Sequence, residues 1–341
     1  MKITILGAGT WGVALARVLA LAGHRVTLWS AVEKEIDTLA RTHRHPNLPD
    51  MVFPEEILLT KDIAKACEST ELLLFAVPSV YVRSVAAQVR PLIPDGLVIA
   101  DVAKGIEPDT LFTMSQIICD ELNRDGAHGN VKVVALSGPT HAEEVAKDLP
   151  TFIVSACEDL SAARLVQQAF ANTCLRAYTN EDVLGVELCG ALKNIMALAA
   201  GISAGLGFGD NALAGLITRG IAEMTRLARM MGCQEATCAG LAGIGDVIVT
   251  AGSVHSRNRR AGLLIGQGMA PEAAIASVGM VVEGVNALPA AMQLIRRHGV
   301  QMPIIESVNA IINEGCPVAE VVQALTSRRL QDELNWQAHK V

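Results

Sequence analysis

Three stretches carry side chains at spacings suited to chemistry. The first, Lys2-Ile3-Thr4-Ile5-Leu6-Gly7-Ala8-Gly9-Thr10-Trp11-Gly12, sets Gly-x-Gly-x-x-Gly directly after a strand-like run and directly before a helical one. In that context Gly7 permits a tight turn, Gly9 lets backbone approach a pyrophosphate and Gly12 lets helix pack on strand. The helix N-terminus adds partial positive charge, so the stretch reads as a dinucleotide-binding loop. The second stretch, Val186 to Leu198, sets Lys193 among small and apolar residues. Desolvation there lowers a lysine from its ordinary pKa of about 10.4 toward an acid–base range, whereas a snorkelling surface lysine would stay charged; composition leaves both open. In the third, Gly243-Ile244-Gly245-Asp246 places a carboxylate in a glycine-rich turn, and His255-Ser256-Arg257-Asn258-Arg259-Arg260 gathers hydroxyl, guanidinium and amide at a helix start. Such a group makes a phosphate cradle, since Arg offers a bidentate fork and a helix end offers backbone N–H groups; the other reading is a solvated basic face.

Elements must hold these groups in place. Ile3-Leu6, Val26-Trp29, Leu72-Val77, Leu97-Asp101, Val131-Leu136 and Phe152-Ser155 are short β-branched or leucine-rich runs, with helical periodicity between several of them, as in Val80 to Val89. The alternation predicts an α/β, Rossmann-like, doubly wound parallel sheet. From about Thr179 the texture becomes long Ala/Leu/Gly/Met stretches with three- and four-residue spacing, which predicts an all-α C-terminal domain. Val247-Val249 is too short for its period to decide between strand and helix. Tyr-Thr-Asn-Glu-Asp supplies turn and N-cap residues near Asn180, giving a dinucleotide-binding domain over 1–180 and a helical substrate-binding domain over 181–341.

Composition narrows the function. The 341 residues are 51% hydrophobic and 18% charged, which excludes a disordered chain and fits about two domains. With 28 Lys+Arg against 35 Asp+Glu, the net charge of −7 opposes nucleic acid as a partner, while leaving room for a few inward-pointing cations at a small phosphorylated ligand. Eight cysteines without a C-x-x-C pair read as reduced, mostly apolar core residues. The N-terminal apolar run is broken by Gly7, Gly9, Gly12 and Arg17, unlike a secretory signal, and Gly190 to Gly209 carries Lys193 and Asn194. A cytoplasmic protein without membrane insertion is expected.

Taken in order, Gly-Ala-Gly-Thr-Trp-Gly, Val77-Pro78-Ser79, Ala103-Lys104-Gly105-Ile106-Glu107, Ser137-Gly138-Pro139-Thr140, Leu192-Lys193-Asn194, Gly243-Ile244-Gly245-Asp246, Ser256-Arg257-Asn258-Arg259-Arg260 and Val281-Val282-Glu283-Gly284 span nearly the whole chain. In this joint order the sequence resembles the NAD(P)-dependent glycerol-3-phosphate dehydrogenases, in their bacterial soluble form. The resemblance implies reversible hydride transfer between NAD(P)H and dihydroxyacetone phosphate, yielding sn-glycerol 3-phosphate for glycerophospholipid synthesis, in a homodimer. It implies that Lys193 donates the proton in reduction and accepts it in oxidation, and that Lys104 reaches both cofactor and substrate. Gly138, Thr140, Asp246, Ser256, Arg257 and Asn258 would surround the substrate, with Arg257 also near the cofactor. Gly7, Gly9, Thr10, Trp11, Gly12, Ala142, Val281 and Glu283 would line NAD or NADP.

That chemistry is coherent. Hydride arriving at a carbonyl leaves negative charge on oxygen, which two lysines stabilise and one must protonate. It needs no metal, and His43-Arg44-His45 reads as a loop. Two positions depart from the family pattern. Ala31 stands where Arg or His is common after the tryptophan of the second strand, and no acidic residue replaces it, so the sequence chooses neither NAD nor NADP. His141 stands where bacterial members commonly carry an aromatic. A β-hydroxyacid dehydrogenase, which needs no phosphate cradle, and a non-catalytic dinucleotide sensor are the competing readings.

Overall fold

The computed structural model describes residues 1–328, and the chain divides into two compact units: Met1–Glu107 with Phe112–Glu187, and Pro108–Leu111 with Leu188 onward. The first unit is built on an eight-stranded sheet of β1 (Lys2–Leu6), β2 (Arg25–Trp29), β3 (Leu58–Thr60), β4 (Leu72–Phe75), β5 (Val98–Asp101), β6 (Lys132–Ser137), β7 (Thr151–Ala156) and β8 (Leu175–Asn180), in the order β3-β2-β1-β4-β5-β6-β7-β8. Its helices are α1 (Thr10–Leu21), α2 (Glu33–Thr42), α3 (Ile63–Cys67), α4 (Val82–Val89), α5 (Met114–Leu122), α6 (Ala142–Val145) and α7 (Leu160–Ala169).

β4 shows why the run Leu72-Leu73-Leu74-Phe75 is apolar without alternation. Leu72 and Leu74 enter one core with Ile3, Ile5, Leu28 and Val13, while Leu73 and Phe75 enter another with Val85, Ile99 and Ile117. Both faces of the strand are buried, as in doubly wound sheets. The expected strands are all present, and two more join them. β3 is three residues long, and β8 is an edge strand in which only Leu175 is buried.

The sheet is not wholly parallel. β6 and β7 pair antiparallel, with Leu136 opposite Ser155, so the parallel expectation holds for β1 to β6 and for the β7–β8 pair. The order reverses between β1 and β4, and the carboxyl ends of these neighbours mark the switch point at which such sheets take ligands.

Helices α8 (Val183–Gly205), α9 (Asp210–Met230), α10 (Glu235–Cys238), α11 (Asp246–Gly252), α12 (Arg257–Gly266), α13 (Pro271–Val278), α14 (Glu283–His298), α15 (Pro303–Ile312) and α16 (Val318–Thr326) make up the helical half. Asp182 caps α8, its Oδ1 accepting the Gly185 N–H at 3.0 Å. α8 is long and apolar enough to cross a membrane, but 89% of its most apolar window is buried within the protein. Val247-Val249 lies inside α11, where Val247 is buried and Ile248 is exposed. The Gly243-Ile244-Gly245 stretch is a π-helical turn over Leu241–Gly245 that runs into α11, rather than an open turn.

Glycines set the crossing of α8 and α12. A Cβ on Gly201 would stand 2.1 Å from the Arg259 carbonyl oxygen, and one on Gly262 would stand 2.2 Å from the Leu198 carbonyl oxygen. The two backbones therefore touch, which draws the N-terminus of α12 toward the Lys193-Asn194 turn of α8.

Candidate active site

The dinucleotide loop fits its expected ligand. Gly7 has φ +122°, and a Cβ there would lie 2.7 Å from the Ala76 backbone beyond β4. A Cβ on Gly12 would lie 2.0 Å from the Gly7 carbonyl oxygen, so the turn and the first helical turn interlock without room for side chains. Nothing stands within 4 Å of a Cβ on Gly9, the N-cap of α1, so the loop is open where backbone must meet a pyrophosphate. The first turn of α1 has no acidic residue, and its leading N–H groups lack intrahelical acceptors. Thr10 accepts a hydrogen bond from Asn47 Nδ2 at 3.1 Å, and Trp11 packs on the adjoining core.

The same unit brings Lys104 and the Ser137-Gly138-Pro139-Thr140 turn together. Lys104 Nζ donates to the Gly138 carbonyl at 3.1 Å, and Thr140 Oγ1 donates to the same oxygen at 3.2 Å. Gly138 thus acts through its carbonyl as a holder of Lys104. Ala142 opens α6 within the core, and His141 is its N-cap residue, the carbonyl accepting the Val145 N–H at 3.1 Å. His43 closes α2 in a left-handed conformation, and His45 begins the following loop.

The other group is built on α8, α11 and α12. Lys193 is 7% exposed, which removes the snorkelling alternative. Its Nζ lies 3.0 Å from Asp246 Oδ1 and donates to Thr250 Oγ1 at 2.9 Å, while Thr250 Oγ1 donates to Asp246 Oδ1 at 3.1 Å. A buried ion pair is tolerated when further hydrogen bonds satisfy it, and this closed triangle does so. Thr250 was not singled out in the sequence, although its four-residue step from Asp246 places both on one helical face.

Asn258 Nδ2 donates to Asn194 Oδ1 at 2.9 Å, and Asn258 Oδ1 accepts the Gly284 N–H at 2.8 Å. Asn194 therefore belongs to the group as well. Ser256 is the N-cap of α12, its Oγ accepting the Arg259 N–H at 3.2 Å. Arg257, the first residue of α12, is half-buried, and among the described residues no carboxylate or carbonyl pairs with its guanidinium. An unpaired guanidinium beside a helix N-terminus is an anion site by charge and by donor geometry. Val281 is half-buried just before α14, and Glu283 opens that helix, accepting from Asn286 Nδ2 at 3.3 Å.

One carboxylate missed in the sequence stands at the end of β2. Glu35 Oε2 accepts the Ser30 hydroxyl at 2.6 Å. Its distance of about 20 residues beyond the glycine motif was the available signal.

Comparison with known proteins finds relatives across both halves of the chain. Residues 2–163 match the family described as NAD-dependent glycerol-3-phosphate dehydrogenase N-terminus, and residues 182–323 match the corresponding C-terminus. The chain is 59% identical over 333 residues to glycerol-3-phosphate dehydrogenase [NAD(P)+] 2 of Lactobacillus delbrueckii subsp. bulgaricus, covering 98% of this chain and 99% of that one. It is 45% identical to the glycerol-3-phosphate dehydrogenase [NAD(P)+] of Fusobacterium nucleatum, covering 98% and 100%. The crystal structure of the glycerol-3-phosphate dehydrogenase of Coxiella burnetii superposes with a TM-score of 0.89 at 36% identity, covering 96% of this chain and 99% of that one. With family matches across both halves and relatives aligned over nearly their full length, the chain belongs to the NAD-dependent glycerol-3-phosphate dehydrogenase family.

Proposed function

We propose that this protein reversibly reduces dihydroxyacetone phosphate to sn-glycerol 3-phosphate with NAD(P)H, and that Lys193 is its proton donor and acceptor. The observation that carries the reading is the buried Lys193 Nζ, held by Asp246 at 3.0 Å and Thr250 at 2.9 Å. The nicotinamide supplies or takes the hydride when bound. As hydride reaches the carbonyl carbon, charge develops on oxygen; Lys193 stabilises that charge and gives the oxygen its proton, and in oxidation it takes the proton back. Asp246 and Thr250 fix the direction of the ammonium, so no reorientation is required during the step.

Arg257 and the first N–H groups of α12 would bind the phosphate, with Ser256 and Asn258 holding that helix end in place. Lys104, positioned by Gly138 and Thr140, is the second cation. Gly7, Gly9, Thr10, Trp11 and Gly12 would meet the dinucleotide, with Ala142, Val281 and Glu283 completing its lining. In this reading 1–180 is the dinucleotide-binding domain and 181–341 the substrate-binding domain. The protein works in the cytoplasm as a homodimer and supplies glycerophospholipid synthesis.

The test is the initial rate of dihydroxyacetone phosphate reduction by purified protein, with NADH and NADPH in parallel and unphosphorylated dihydroxyacetone as control. Phosphate-dependent nucleotide oxidation is expected. Lys193→Ala should lower kcat by about 10²–10⁴-fold, the usual share of a general acid, while NADH still binds. No turnover in the parent protein, or loss of NADH binding in the variant equal to its loss of rate, overturns the reading.

A further inference from the structure

In a doubly wound nucleotide-binding sheet, the groups at the end of the second strand meet the adenosine ribose and decide between a 2′-hydroxyl and a 2′-phosphate. Here β2 stops at Trp29, and Ser30 follows it, buried. The Ser30 hydroxyl donates to Glu35 Oε2 at 2.6 Å and accepts the Val32 N–H at 3.1 Å. The first contact fixes a carboxylate at the strand end, and the second occupies a backbone donor that a phosphate would need. The same region is tied to the glycine loop, because Asn47 Nδ2, from the loop after α2, donates to Thr10 Oγ1 at 3.1 Å.

The surrounding charges reinforce the sign. Glu33 and Asp37 lie on α2 with Glu35, and both are paired with Lys61, at 3.2 Å and 2.9 Å. That lysine follows β3, the neighbour of β2, and its charge is already spent on two carboxylates. Ala31 and Val32 are exposed and carry no charge, and Lys34 adds one exposed cation to the turn. Arg41 sits at the far end of α2, about 12 Å along the axis from Glu33, and Arg44 donates to the Pro49 carbonyl.

Building on the dehydrogenase reading above, we propose that the Ser30–Glu35 pair reads the adenosine ribose and makes this protein select NADH over NADPH. The Glu35 carboxylate accepts from ribose hydroxyls and repels a 2′-phosphate.

The experiment titrates the full chain with NADH and with NADPH, following nicotinamide fluorescence, for the parent protein and for Glu35→Gln. The parent should bind NADH at least about tenfold more tightly, and Glu35→Gln should narrow that gap about fivefold, mainly by gaining NADPH affinity. Because glutamine can still accept the Ser30 hydroxyl, the variant keeps the local hydrogen bond. A second readout needs no variant: raising salt from about 0.05 M to about 0.5 M screens the repulsion and should shrink the parent's Kd ratio. A parent ratio within about twofold, a gap unchanged in Glu35→Gln, or a ratio indifferent to salt overturns the proposal. Selective NADH binding without dihydroxyacetone phosphate turnover overturns the catalytic reading and supports this one, whereas turnover with equal use of both nucleotides does the reverse.

Discussion

Asn258 Nδ2 donates to Asn194 Oδ1 at 2.9 Å, joining the start of α12 to the turn of α8 that carries Lys193. The opposite end of the same amide accepts the Gly284 N–H, so its donor and acceptor are both assigned. Asn258→Asp keeps the size but turns the donor into an acceptor facing Asn194 Oδ1. Leaving that buried oxygen unpaired should cost about 1–3 kcal/mol. Urea unfolding measures the cost, and a rise in KM for dihydroxyacetone phosphate larger than that for NADH locates the effect at the substrate end.

Glu223 predicts a pH dependence. Its carboxylate, buried on α9, accepts the N–H groups of Ile304 and Ile305 at the start of α15, yet burial pushes the carboxyl up to about 8. Between the ordinary value of 4.5 and that figure the unfolded chain is ionised while the folded chain keeps the proton. The folded state then binds more protons, so this group's contribution to stability falls as pH rises through the window and levels off above it. Urea unfolding from about pH 5 to about pH 9 should show a decline that Glu223→Gln flattens, by a few kcal/mol across the range.

What the sequence made legible divides by the range of the interaction. Gly12 was readable because its constraint is local, its Cβ position being blocked by the Gly7 carbonyl oxygen within one strand–turn–helix unit, whereas the Ala76 backbone that blocks a Cβ on Gly7 comes from beyond β4 and Gly7 was readable only through its place in the motif. Lys193 was visible as a residue but ambiguous in role, since only the fold brings Asp246, from a different helix, to 3.0 Å. Ser256 was readable as a helix start, and its capping of Arg259 is local in the same way. Thr250 was hidden because Val247-Ile248-Val249-Thr250 is strand-like in composition, and the helical context that aligns it with Asp246 comes from the preceding π turn. β8 was hidden because this edge strand buries only Leu175 and carries Arg176, Thr179 and Asn180 in place of an apolar run, and the reversal at β7 depends on a connection whose direction no local pattern encodes. Glu35 lies in α2 rather than on the strand it serves, so inspection of Trp29-Ser30-Ala31 alone passes over it.

Thr250 should act on rate through the position of Lys193. It accepts from Lys193 Nζ and donates to Asp246 Oδ1, so Thr250→Val removes both contacts at nearly constant volume. The loss of about 1–3 kcal/mol of orienting hydrogen bonding corresponds to a decrease in kcat of about fivefold to 150-fold. KM for dihydroxyacetone phosphate should change less than kcat, and Thr250→Ser should recover most of the rate. A variant that loses stability and KM together, without rescue by serine, would assign Thr250 to packing alone.

The α8–α12 crossing makes the phosphate end dependent on residues that touch no ligand. Gly201 and Gly262 let the two backbones meet, with a Cβ on Gly201 falling 2.1 Å from the Arg259 carbonyl. Backbone cannot yield as the tip of a flexible side chain can, so Gly201→Ala must push the helices apart and should cost about 3 kcal/mol. The displacement moves Arg257 and Asn258 with α12 relative to Lys193 on α8. Kinetics should therefore show a higher KM for dihydroxyacetone phosphate and a lower kcat, because a misplacement of about 1 Å costs on the order of a hundredfold in rate. NADH affinity should fall less than the affinity for dihydroxyacetone phosphate, since the glycine loop, Thr10 and the Ser30–Glu35 pair are built in the sheet unit rather than on this crossing. Fluorescence titration beside steady-state kinetics separates the two effects, and an equal loss of both would show that the helical half also fixes the dinucleotide loop.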